Sequence, residues 1–192
     1  MVDPVQITVF DRTRAGQEEF MLFTICVAAK DAKQQARKLE EFLRLLPPGD
    51  TPFERIRRAG DVRSALEQVR MGQYTRIAKA FQALASSGVD LETVTTEELE
   101  RTPGVGLKTS RFFVLHSRPG ARVACLDTHI LRYMREELGV PAPKSTPTSP
   151  ARYHELERKF LDHCDAIGRE PSDLDLDIWV RYSSARRARK AA

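Results

Sequence analysis

Thr102-Pro103-Gly104-Val105-Gly106-Leu107-Lys108-Thr109 separates two stretches of helical pattern and holds the densest chemistry in the sequence. Two glycines two residues apart permit a tight hairpin and let the backbone come close to another molecule. The helix expected after Gly106 leaves amides unpaired at its N-terminus, which suits a phosphate. A plain helix–helix connection has the same composition, so the turn by itself decides nothing.

The flanks narrow the reading. Upstream, Thr95 with Glu98 three residues on has the spacing of a capping box, so a helix leads into the turn. Downstream, nineteen residues beyond Lys108, the apolar run Val123-Ala124-Cys125-Leu126 ends in Asp127. A helix is expected after it, with Ile130, Leu131, Met134 and Leu138 on one face and Gly139 at its end. Asp127 reads as the N-cap of that helix, and a capping aspartate can also serve chemistry. Lys108 reads either as a solvated helix lysine or as a nucleophile.

Working outward, the periodicity is helical nearly everywhere. Gln17–Lys30 is apolar on almost all sides and is expected to be a buried central helix. Ala32–Leu46 is amphipathic and is stopped by Pro47-Pro48-Gly49-Asp50. Shorter helices are expected at Phe53–Ala59 and Val62–Arg70, then one through Tyr74, Ile77, Phe81 and Leu84 that closes at Gly88. Val140–Pro150, with four prolines in eleven residues, reads as a connector. A helix starting at Ser149-Pro150 and ending at Gly168 follows, then a last one over Leu174–Tyr182. Only Val5–Phe10 looks extended. The expected fold class is all-α.

The net charge of +4 is unevenly placed. Residues 101–136 carry seven basic and two acidic side chains, and the last twelve carry five and none. The remainder is mildly acidic. The first basic stretch, with Arg101, Arg111, Arg118 and Arg122, surrounds the hairpin and is expected to face phosphate. The tail reads as a solvated or frayed end, with general attraction to DNA as its second reading.

Several function classes drop out. The longest apolar run, Phe20–Ala29, is broken by Thr24 and is too short to span a bilayer, and no secretory signal is visible. Cys26, Cys125 and Cys164 are odd in number and far apart, against a disulfide scaffold and in keeping with a reducing, intracellular compartment. The histidines form no zinc pattern. His116, near the end of the lysine helix, is adequately explained by C-terminal capping.

With these residues in view, the sequence resembles the helix-hairpin-helix (HhH-GPD) DNA glycosylase superfamily. The likeness rests on Leu99-x-x-Thr102-Pro103-Gly104-Val105-Gly106-Leu107-Lys108-Thr109-Ser110 and Leu126-Asp127-Thr128-His129-Ile130-Leu131-Arg132, strongest over residues 95–136. It is nearest to the iron–sulfur-free, archaeal-type 8-oxoguanine DNA glycosylase/AP lyases. Leu174-Asp175-Leu176-Asp177-Ile178-Trp179 is similar to a Leu-Asp-Leu-x-x-Trp segment of that group. Thr102 stands where the superfamily has an apolar residue and Ser110 where it has alanine. The four-cysteine cluster loop of endonuclease III is absent, and the basic tail runs past the point where those relatives end in lysine.

The resemblance implies a single glycosylase domain in two helical lobes. Residues 32–138 would form the central lobe with the hairpin at 95–117, residues 1–31 and 150–183 the second lobe, and 184–192 the basic tail. It implies no iron–sulfur cluster or other cofactor and leaves room for a monovalent cation at the hairpin. The implied partner is double-stranded DNA with a damaged base, bound by a monomer away from any membrane. Lys108 and Asp127 take the catalytic roles. Pro103, Gly104, Val105, Gly106, Thr109 and Arg132 take DNA binding, and Phe112 and Trp179 are weaker candidates for a base pocket.

The chemistry is consistent with those roles. The positive end of the helix dipole disfavours an ammonium at Lys108, and Phe112 and Leu115 would remove water from it, whereas the charge of Asp127 works the other way. A neutral amine can attack C1′ of the damaged nucleotide and expel the base. The expected activity is a bifunctional glycosylase/AP lyase of base-excision repair acting on an oxidised base, 8-oxoguanine first. The alternatives are an oxidised pyrimidine or another modified base, or a non-catalytic helix-hairpin-helix module that binds DNA.

Overall fold

Thr13 accepts a hydrogen bond from the Gly16 amide at 3.2 Å and so starts α1 (Arg14–Cys26) three residues earlier than the apolar pattern suggests. Phe20, Met21, Leu22, Ile25 and Cys26 on this helix are fully buried, as an all-round apolar helix requires. Each large side chain of this kind contributes about 1.5–3 kcal/mol on burial. The helix ends at Cys26, short of the expected Lys30, whose ammonium instead donates to the Met71 carbonyl at 2.7 Å.

The computed structural model describes residues 2–28 and 30–191, with side chains through Ser183. It is all-α, and no strand occurs among the described residues. Around α1 lie α2 (Ala32–Leu45), α3 (Pro52–Arg58), α4 (Val62–Gln68), α5 (Tyr74–Ser87), α6 (Thr96–Glu100) and α7 (Leu107–Ser117). α1 touches α2, α3, α5 and α7 directly, while α6 pairs with α7. These seven helices belong to one compact unit, Met1–Arg118. The second unit, Pro119–Ala192, holds α8 (Thr128–Glu136), α9 (Pro150–Ala166) and α10 (Pro171–Ala191), with α10 packed on both of the others.

The punctuation follows the residues. The Thr95–Glu98 capping box is formed in both directions, and Gly88, Gly139 and Gly168 take positive φ at helix ends. Val5–Phe10 forms no strand. It is tied to the end of α7 by a bond from the Val9 amide to the His116 carbonyl at 3.1 Å. The Arg12 guanidinium reinforces this by donating to the carbonyls of Ile7, Val9 and His116. The last helix starts at Pro171, before the expected Leu174, and its backbone continues helical to Ala191 rather than fraying after Tyr182. The side chains of the expected basic tail, 184–192, lie outside those described.

Candidate functional site

The hairpin is a 3.0 Å turn from the Val105 amide to the Thr102 carbonyl, entered through a 2.9 Å bond from the Thr102 amide to the Leu99 carbonyl. Gly104 has φ +86, and a Cβ there would sit 3.2 Å from the Ala80 Cβ on α5. Glycine is therefore required on both counts. Gly106 differs: its φ is −112 and a Cβ would meet nothing within 4 Å. As N-cap of α7 it brings no side chain, so no side-chain hydrogen bond caps the first turn. Pro103, Gly104 and Gly106 are exposed, while Val105 and Thr109 are buried and hold the turn to the core.

Arg76 on α5 is a participant that sequence reasoning missed. Its guanidinium donates to the Gly104 carbonyl at 3.2 Å and to the Ile25 carbonyl at 3.0 Å, tying the hairpin to α1. An arginine in the first turn of an amphipathic helix, beside Lys79, carries no sequence signal for this role. The positive charge it places there works against a monovalent cation at the Gly104 carbonyl.

Lys108 lies in the first turn of α7, half-buried. Within its own unit its amine makes no hydrogen bond or ion pair with a described residue. Phe112, one turn on, is also half-buried. It packs with its ring 5.9 Å from Phe20 and edge-on to His116 at 5.0 Å. His116 is not a simple C-terminal cap. Its ring is fully buried, with Nδ1 2.8 Å from the Thr8 hydroxyl, and it anchors the N-terminal segment.

In the second unit Asp127 is the N-cap of α8. Its Oδ1 accepts from the amides of His129 at 2.8 Å and Ile130 at 2.9 Å. The chain before it is irregular and held by side chains. The Tyr153 hydroxyl donates to the Ala124 carbonyl at 2.8 Å and accepts from the Leu126 amide at 3.1 Å. Glu157 accepts from the Ala124 amide at 3.0 Å, and the Thr146 hydroxyl donates to the Leu126 carbonyl at 2.8 Å. Helical periodicity places Tyr153 on an apolar face and carries no signal for its hydroxyl partners.

Arg132 is engaged within its unit. It pairs with Glu136 at 2.8 Å and lies over the Tyr182 ring at 4.5 Å, with His129 stacked near the same ring at 6.2 Å. Trp179 is half-buried on α10.

The expectation that the basic stretch faces phosphate needs correction. Arg111 is 2% exposed and is paired with Glu100. Arg118 donates to the carbonyls of Leu91 and Val94, Arg122 pairs with Asp165, and Arg135 donates to the carbonyl of Pro143. Carbonyls and carboxylates of the fold engage these guanidinium groups, although Arg122 and Asp165 both stay exposed. Arg101 remains exposed beside the hairpin. Among the described residues no group of three or more His, Cys, Asp or Glu could hold a metal ion, and no helix is long and apolar enough to cross a membrane.

The comparisons with known structures bear on this arrangement. The Methanocaldococcus jannaschii 8-oxoguanine glycosylase/lyase, solved with a 15mer DNA containing 8-oxoguanine, superposes with a TM-score of 0.67 at 21% identity, over 91% of this chain and 84% of that one. The 8-oxoguanine DNA glycosylase of Thermotoga maritima gives a TM-score of 0.62 at 22% identity, over 85% and 80%. The chain has the fold of the 8-oxoguanine DNA glycosylases. The sequence relationship to a curated 8-oxoguanine DNA glycosylase/AP lyase, that of Fusobacterium nucleatum subsp. nucleatum, is 30% identity over 79 residues, 41% of this chain. That match spans 36% of the relative's length, about a third. No family model matches the chain.

Proposed function

We propose that this protein is a bifunctional DNA glycosylase/AP lyase of base-excision repair, excising an oxidised base from duplex DNA, with 8-oxoguanine as the first candidate. The observation that carries the reading is the placement of Lys108. It stands half-buried in the first turn of α7, two residues past an exposed hairpin and a glycine N-cap that brings no side chain.

In the proposed reaction the hairpin backbone around Gly104–Gly106 and the uncapped amides of α7 hold a phosphate of the DNA strand. The Lys108 amine attacks C1′, a C–N bond forms, and the glycosidic bond breaks as the base departs, taking up by way of Asp127 the proton that the amine gives up. The adduct becomes a Schiff base after ring opening. Loss of a C2′ proton then breaks the C3′–O bond and nicks the strand. Asp127 accepts the amine proton and stabilises positive charge developing on the sugar. Its capping bonds to His129 and Ile130 use Oδ1 to hold the carboxylate at the head of α8.

Borohydride trapping on 8-oxoguanine and abasic duplexes tests the reading. Wild type gives a covalent protein–DNA product and Lys108→Gln does not. No product with wild type, or an undiminished product with Lys108→Gln, overturns it. The same trapping across a panel of lesion duplexes identifies the base.

A further inference from the structure

The run Ala124–Leu126 is neither helical nor paired with a strand, and its Leu126 amide turns back to the Ala124 carbonyl at 3.1 Å. Ala124 and Leu126 are fully buried, where an amide or carbonyl left unpaired is destabilising. Side chains take the place of the missing strand. Tyr153 and Glu157, four residues apart on α9, lie one turn from each other on the same helix face. Between them they meet the Ala124 amide and carbonyl and the Leu126 amide. Thr146, from the connector before α9, meets the Leu126 carbonyl. Tyr153 is 0% exposed, so its hydroxyl has no water to exchange with.

The residue that follows this run is Asp127. Its amide reaches the Cys125 carbonyl at 2.6 Å in a tight turn, and its carboxylate then caps α8. The cap fixes the carboxylate relative to α8, whereas the clamp fixes the chain that delivers it. We propose that Tyr153 and Glu157, with Thr146, are positioning residues for the Asp127 carboxylate in base excision. They touch no reacting atom; they act by holding the backbone of residues 124–126 in one register. This rests on the role proposed above for Asp127.

The test is single-turnover excision from a lesion duplex with protein in excess, together with the affinity for that duplex. With protein in saturating excess the duplex sets the amplitude, and a partial loss of folded protein leaves the rate constant unchanged, so the rate constant reports positioning. Tyr153→Phe keeps the ring and removes the hydroxyl. The expected result is a rate constant lower by roughly 10- to 100-fold, the range for a misplaced catalytic group, with affinity within about twofold of wild type. Thr146→Val and Thr146→Ser provide a second, milder pair: the valine variant slows excision and the serine variant restores it. Unchanged rate constants in Tyr153→Phe and Thr146→Val overturn the clamp while leaving the proposed function standing. A wild type that excises nothing from any lesion duplex overturns the proposed function and the clamp together.

Discussion

Arg111 on α7 is ion-paired with Glu100 at the end of α6, joining the two helices on either side of the hairpin. The guanidinium is almost wholly buried and also donates to the Leu107 carbonyl and the Ser110 hydroxyl. Ser110 in turn donates to Glu100 at 2.8 Å. The residue that looked like a phosphate contact is a brace that sets the angle at which the hairpin is presented.

Arg111→Met is therefore expected to cost stability rather than electrostatic attraction. Breaking a buried pair by removing one partner costs about 3–5 kcal/mol; with Glu100 a quarter exposed, about 2–4 is expected here. The salt dependence of DNA affinity should be unchanged. Arg101→Ala, at an exposed position beside the turn, should leave stability alone and reduce the salt slope by about 1. Urea unfolding and binding at several salt concentrations separate the two. An Arg111→Met protein that is fully stable with a shallower salt slope contradicts the brace.

A second expectation concerns alkaline pH. Burial raises the Cys26 thiol to about 12 and the Cys164 thiol to about 11. In an unfolded chain a thiol ionises near pH 8.5. Between those values the unfolded state has released protons that the folded state still holds, so stability falls as pH rises through that window. Below about pH 8.5 the two thiols add no pH dependence. Urea midpoints from pH 7 to 11 should decline less steeply in a Cys26→Ala, Cys164→Ala chain than in wild type. Equal slopes remove the thiols as the cause.

How much of this was legible depended on distance along the chain. The Thr95–Glu98 capping box, the Asp127 cap and the glycine ends of the helices after Ser87, Glu136 and Ala166 are made by neighbours within a few residues, and the sequence showed them. Arg111 finds Glu100 eleven residues back, and Arg118 finds carbonyls 24 and 27 residues back. A charge count registers such side chains without their direction. Tyr153 was correctly placed on the buried face of α9, but its hydroxyl partners lie 27 and 29 residues away. Periodicity identifies a buried ring and says nothing of what its polar end meets. Of the proposed site, residue types and spacing were legible, and the supports that hold them were not.

The N-cap that Asp127 forms and the catalytic role proposed for its carboxylate can be separated by substitution. Asparagine is as good an N-cap as aspartate, whereas alanine loses the bonds to His129 and Ile130. Asp127→Asn should therefore change stability by less than about 0.5 kcal/mol, and Asp127→Ala should cost about 1 kcal/mol. Excision should collapse in both, because neither variant carries a carboxylate. Thermal unfolding and single-turnover excision run side by side check this. Wild-type excision by Asp127→Asn would leave the residue a cap and nothing more.

Gly104 and Gly106 stand two residues apart and are glycine for different reasons. At Gly104 the positive φ and the Ala80 Cβ at 3.2 Å oppose any side chain. Gly104→Ala should cost about 1–3 kcal/mol of stability through backbone strain and crowding against α5. At Gly106 the backbone is extended and the space is open, so Gly106→Ala should change stability by under about 1 kcal/mol. Nothing inside the described fold then requires glycine at Gly106. A phosphate drawn up to the hairpin amides would meet the added methyl group, and affinity for duplex DNA should fall by about tenfold, equivalent to about 1.4 kcal/mol. Unfolding midpoints and binding isotherms on the two variants give the contrast directly. A stable Gly106→Ala protein that binds DNA as wild type does would show that the strand does not approach through this turn.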